Sequence, residues 1–189
     1  MKAPVPLQQV LITSRLQLEP EPIRDHDITE RILQRIAANM DRGITRVYQT
    51  AADCALELTN GSTSGFSMLD VRASGDAMVW AAVSGTSADL LKGEIARQGS
   101  PSGFALQQHE PQLFADPGRH YTAMPQFHPP ISELLVVPAY DRHGAAFGAL
   151  WVFVQDRTVK LGRRDAVHLE ALVEFMMLAC NVKQRLGTA

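Results

Sequence analysis

The segment "ISELLVVPAYDRHGAAFGALWVFVQ", residues 131 to 155, constrains the fold of this chain more than any other stretch. It holds two strand-length apolar runs joined by a polar turn, the pattern of a β-hairpin. Side chains alternate across a strand, so Phe147, Ala149, Trp151 and Phe153 are expected to point one way and Ala146, Gly148, Leu150, Val152 and Val154 the other. Both sets are apolar, and a sheet built on this hairpin must be covered on both faces. The rest of the sequence has to supply two covers.

One cover reads as helix. "DITE" has the form of a capping box, with Asp27 as N-cap and Glu30 at the third helical position; Ile28, Ile32, Leu33, Ile36 and Met40 follow at helical spacing to a stop near Gly43. A second helix begins directly after it, with Val47, Ala51, Cys54, Ala55 and Leu58 on one face and Asn60-Gly61 as its stop. The segment from about Arg163 is the strongest helix. Leu169, Leu172, Val173, Met176 and Cys180 form one stripe, while Val167, Ala171, Phe175, Leu178 and Val182 fall on another side. Such a helix needs two partner surfaces: the sheet, and either the N-terminal helix or a second subunit.

The other cover is irregular. "GFSMLDV" and "AMVWAAV" flank "RASGD" as a further hairpin, and residues 84 to 99 read as loop with at most one short helix. In "GSPSGFALQQHEP", Ser100 is a natural N-cap, Pro101 fits the first helical position and Pro111 bounds the far end of a short helix. A short strand "QLFA" follows, then a loop rich in proline and aromatic residues to 130. Cover of this kind encloses a pocket more readily than a flat helix layer does. Pro4, Pro6, Pro20 and Pro22 forbid a continuous helix near the N-terminus and point to an extended arm. The expected organisation is an arm over 1–26, a helix over 27–42 and one domain over 43–189.

Eighteen basic residues against 20 acidic ones, with no block of like charge, leave no footprint for nucleic acid. No apolar run is long enough for a signal-peptide core or a membrane span, so a cytoplasmic protein without membrane contact is expected. Cys54 and Cys180, the only cysteines, sit at apolar helical positions and read as buried thiols. There is no phosphate-binding glycine loop, nucleophile elbow or metal motif. His120 and His128 are separated across Pro125 at a spacing that standard metal sites do not use. No catalytic constellation, metal or cofactor is read from the residues, and an enzyme is not expected.

The words "AADCALELTNGSTSGFSMLD" (51–70), "VWAAVSG" (79–85), "SPSGFALQQHEPQLFADPGRHY" (100–121), "PPISELLVVPAYDRHGAAFGALWVFVQD" (129–156) and "RRDAVHLEALVEFMMLAC" (163–180), in this order, resemble a GAF domain, a small-molecule-binding sensory module of bacterial signalling proteins. The resemblance covers roughly residues 44 to 186, and the arm and first helix look like the lead-in of GAF sensors placed ahead of histidine kinases. It implies an α+β, GAF/PAS-like fold: a central antiparallel sheet of about five or six strands, N- and C-terminal helices on one face, and a ligand pocket under loops and a short helix on the other. It also implies a homodimer paired through its terminal helices, which passes the signal of an unidentified small molecule to an output domain or kinase of a two-component system. The chain reaches Ala189 without such a domain, so it is expected to act in trans or to be part of a longer sensor.

Departures from relatives narrow this. Ser100-Pro101-Ser102-Gly103 stands where close relatives tend to read Ser-Pro-Cys-Gly. Arg119 and Tyr121, not a cysteine, flank His120, so a covalent tetrapyrrole is not expected. GAF-type free methionine sulfoxide reductases need cysteines in pocket loops, which leaves a divergent reductase as a minor alternative, behind a ligand-free dimerisation scaffold.

The candidate ligand-binding residues follow from these elements. The start of the 100–108 helix, at Ser102 and Gly103, offers free N–H groups and a positive dipole end to a carboxylate or phosphate. Trp80, Phe114, Tyr121, Phe127, Trp151 and Phe153 are candidates for aromatic walls. Arg119 and His120 lie in a loop positioned to act as a lid, where Arg119 is suited to a ligand anion. Glu133, opening the strand below, is suited either to a ligand amine or to anchoring the loop.

Overall fold

A computed structural model describes residues 3–22, 26–70 and 77–186. Five helices are described, α1 (Ser14–Leu18), α2 (His26–Ala37), α3 (Ile44–Thr59), α4 (Pro101–Gln108) and α5 (Arg163–Leu186). The strands are β1 (Thr63–Asp70), β2 (Ala77–Gly85), β3 (Glu94–Ala96), β4 (Gln112–Ala115), β5 (Glu133–Tyr140) and β6 (Ala146–Val154). They form one antiparallel sheet in the order β3-β2-β1-β6-β5-β4. The hairpin of residues 131–155 is therefore interior to the sheet, flanked by β1 and β4, which is why both of its faces had to be apolar.

Helices α3 and α5 lie against one face of the sheet, and α2 packs on both of them. The core here joins Ile32 and Ile36 of α2, Val47, Ala51 and Cys54 of α3, and Leu169, Leu172 and Met176 of α5 to Phe66, Leu135, Leu150 and Val152 of the sheet. Asn60 takes the left-handed conformation, φ 51°, that ends α3. The opposite face carries Leu134, Val136, Ala149, Trp151 and Phe153, covered by α4 and the loops.

Four details differ from the sequence reading. Asp27 lies inside the first turn of α2 instead of capping it, and the helix ends at Ala37, before Met40. The Asn39 side-chain amide donates to the Arg35 carbonyl at 2.8 Å, supplying a side-chain partner where the helix would otherwise run on. Residues 94–96, read as loop, form β3, a strand too short to show a period. Phe147 packs on the helix-covered face, against Phe66 and Tyr48, because the β5–β6 register shifts next to it and pairs Tyr140 with Ala146.

The fourth difference is the arm, which is neither simply extended nor loose. It contains a 3-10 turn at Leu7–Gln9 and then α1. Between them the chain runs along β4, with Ala115 N–H donating to Val10 O at 2.7 Å and Ile12 N–H to Leu113 O at 2.8 Å. The prolines stop a long helix, but Val10 and Leu16 between them are apolar and become buried. The "RASGD" turn lies among residues outside the described ones.

Candidate functional site

The loop-covered face encloses a small cavity of about 50 Å³. Its floor is Trp80 from β2, Leu134 and Val136 from β5, and Trp151 and Phe153 from β6. Met124, Pro125 and Phe127 of the 116–132 loop close it from above, and Pro101 and Ser102 close one end. The Trp151 and Phe153 rings lie parallel with centroids 6.0 Å apart, and Phe127 meets Phe153 edge-on at 5.0 Å. The Trp151 indole N–H donates to Ser67 Oγ at 2.8 Å, which fixes the ring. Its strand partner is Gly65, where a Cβ would come within 2.4 Å of the indole. Glycine at that position lets the ring lie flat across β1.

The start of α4 is built as its sequence predicts. Ser100 Oγ accepts the Gly103 N–H at 3.0 Å, and its own hydroxyl donates to Arg97 O at 2.9 Å. Pro101 brings no N–H, so capping leaves little of the first turn open. Gly103 serves the protein's own backbone: a Cβ there would lie 1.9 Å from the Arg97 carbonyl. Of the pair Ser102 and Gly103, Ser102 lines the cavity and gives its apolar wall a polar corner, whereas Gly103 lines a separate hollow on the other side of α4.

Trp80, Ser102, Phe127, Trp151 and Phe153 are thus brought together, and the other candidates are not. Phe114 is fully buried, edge-on to Phe104 and Tyr121. His120 and Tyr121 line the outer hollow with Gly103. Arg119 is exposed in a 3-10 turn at Pro117–Arg119 and lines neither space.

Glu133 is an anchor in this structure. It is 3% exposed and takes a two-pronged contact from Arg15, at 2.9 and 2.5 Å. The Leu161 N–H donates to it at 3.0 Å and Lys160 Nζ stands 3.3 Å away. Burial acts to raise its pKa, but the Arg15 hydrogen bonds, the Leu161 N–H and Lys160 together hold it below the usual glutamate value. Arg15 also donates to the Leu161 carbonyl, so the arm, β5 and the approach to α5 meet at one carboxylate.

Both thiols lie on the opposite face of the sheet from the cavity. Cys54 of α3 and Cys180 of α5 are buried in the helix-side core, and desolvation pushes each thiol up to about 11. At neutral pH they are protonated, and neither lines the cavity.

Sequence reasoning passed over Leu90, Ile95, Met124, Ile131, Leu134 and Val136 as cavity walls. For Leu134 and Val136 a signal existed, since they share a face with Trp151 and Phe153 once β5 and β6 are in register. Met124 carries none. Arg15 was equally unreadable, because its partner lies 118 residues away.

No family model and no curated protein matches the sequence. Comparison with solved structures does find relatives in shape. Free methionine-R-sulfoxide reductase from Neisseria meningitidis, in complex with its substrate, superposes with a TM-score of 0.69 at 16% identity, covering 88% of this chain and 97% of that one. The GAF domain of an Acinetobacter phosphoenolpyruvate-protein phosphotransferase gives 0.65 at 14% identity, over 88% and 100%. The phycocyanobilin-bound GAF domain of a cyanobacterial phytochrome gives 0.62 at 14% identity, over 80% and 93%. At these identities the likeness speaks to architecture alone, and with the sheet order and two-sided cover described above it establishes that the chain has the GAF fold.

Proposed function

We propose that the chain is a non-catalytic sensory domain that takes a small, mostly apolar molecule with one polar group into the cavity between the sheet and the 116–132 loop. The observation that carries this reading is the make-up of the cavity: both tryptophans of the chain wall it, Ser102 supplies a polar corner, and the half-buried side chains of Met124 and Phe127 close it. Small-molecule sites are typically apolar and aromatic with few polar groups. Two neighbours in shape are described with a bound small molecule, a reductase with its substrate and a bilin-bound GAF domain. The placement of both thiols beyond the sheet supports a binding role over a thiol-based reductase.

In this reading ligand entry displaces the loop and biases the terminal helices, which pair with a second copy and signal to an output partner. Half-buried Phe175, with Leu178 and Val182 exposed at 57% and 37% on α5 and Leu33 at 42% on α2, supplies apolar surface for such pairing. A second reading, a ligand-free dimerisation scaffold, is favoured by the small cavity volume of about 50 Å³, room for a few waters.

Native mass spectrometry of freshly purified protein, compared with the same sample denatured, separates the two. A small mass present only in the native spectrum is expected for the sensor. A ligand-free dimer whose tryptophan emission responds to no metabolite in a screen would favour the scaffold.

A further inference from the structure

The arm touches both stems of the 116–132 loop and the start of α5. Asp116 N–H donates to Ser132 O at 2.9 Å and closes the base of the loop. On the first stem, Val5 N–H donates to Arg119 O at 3.0 Å, and the Val5 carbonyl, which can only accept, takes the His120 Nδ1–H at 2.7 Å. On the second stem, Arg15 grips Glu133, the residue that follows the loop, and donates as well to the Leu161 carbonyl ahead of α5. Glu19 then accepts the Arg163 N–H at 2.6 Å. Arg163 opens α5, and the first N–H groups of a helix have no partner within it, so the arm supplies one from 144 positions away.

Between these attachments the arm is not slack. Val10 and Ile12 are hydrogen-bonded to Ala115 and Leu113 of β4, and Thr13 Oγ1 both accepts the Leu113 N–H at 3.0 Å and donates to Gln112 Oε1 at 2.9 Å. Val5, Leu7, Val10 and Leu11 pack with the loop-side cluster, whereas Ile12 and Leu16 pack with the helix-side core. The arm therefore passes around β4 from one core to the other. Residues 10–13 alone are enough to pair with β4; the attachments at either end go to the loop and to α5. A continuous run of packed and hydrogen-bonded groups is the physical route by which a displacement at one end reaches the other.

We propose that the arm is a clasp that couples the 116–132 loop to the start of α5, so that release at either end loosens the other. The coupling needs no ligand. In the sensory reading it is the route by which a displaced loop reaches the terminal helix, and it stands if that reading fails.

Two variants of the full chain, followed by amide hydrogen exchange in peptides over 117–127, 161–169 and 77–85, test it. Val5→Pro lacks the N–H that Arg119 accepts and breaks the loop end of the arm; exchange over 161–169 is expected to quicken about fivefold, the low end of ordinary coupling between sites. Glu19→Ala removes the partner of the Arg163 N–H, and exchange over 117–127 is expected to quicken by a similar factor, because coupling is reciprocal. Exchange in β2, over 77–85, is expected to stay the same in both, which separates release of the clasp from a general loss of stability. Faster exchange confined to the altered end in either variant, or a rise shared equally by β2, overturns the proposal.

Discussion

The two faces of the sheet are covered by opposite strategies. Among the described residues the helix-covered face gathers 28 buried residues into one core, whereas the loop-covered face gathers 11, with a cavity beside them. Helices α3 and α5 present long regular stripes that interdigitate with the strands, and α2 packs on both helices. The short α4 and the loops bring large aromatics that touch at a few edges, and space remains between them. Closer packing places more of the fold's stability on the helix side than on the loop side.

This contrast can be broken most forcefully at Leu150, fully buried on the helix side. Leu150→Ala is expected to cost about 3 kcal/mol in urea denaturation, the usual range for a buried leucine; a loss below about 1 kcal/mol would mean that this face is not the stabilising one. Glu133→Gln comes next, at roughly 2–3 kcal/mol, because it strands Arg15, whose side chain is a third exposed and therefore partly solvated. The same residue sets a pH signature. Its pKa is lower folded than unfolded, so its contribution is complete above the unfolded value, about 4.3, and is lost as pH falls through the folded one. Stability measured between pH 6 and pH 3, on the order of that window, should fall less steeply in Glu133→Gln than in wild type.

Smaller effects sharpen the comparison on the loop side. Trp151→Phe keeps a ring over Gly65 but removes the bond to Ser67, for an expected loss of about 1 kcal/mol. Phe127→Ala, at a half-buried lid position, should cost less than about 1 kcal/mol yet raise acrylamide quenching of the two tryptophans. Unchanged quenching would show that Phe127 does not close the cavity.

What was legible in the sequence follows from the range of the interactions. Alternation in residues 146–154, the stripe on α5 and the Ser100-Pro101 start of α4 are local signals, and they placed the sheet, its helix cover and the short helix correctly. Parity failed at Phe147, where a single register shift turns a side chain to the other face. The candidate site was legible in its strand and lid aromatics and in Ser102. Ser102 and Gly103 are adjacent in sequence yet open onto different spaces, a separation that only the path of α4 creates. Glu133 reads as either ligand contact or anchor until Arg15 is brought from far along the chain.

The arm has a consequence at the rim of the sheet. Strand β4 lies last in the strand order, and residues 10–12 lie along it, answering Leu113 and Ala115 with backbone hydrogen bonds. At the far rim β3 is only three residues long. A sheet margin left open is a template on which a stray strand of another molecule can dock. Lifting the arm would bare a ledge at "QLFA", so a chain trimmed to begin after Thr13 should lose monodispersity through strand exchange and clumping before it loses its fold.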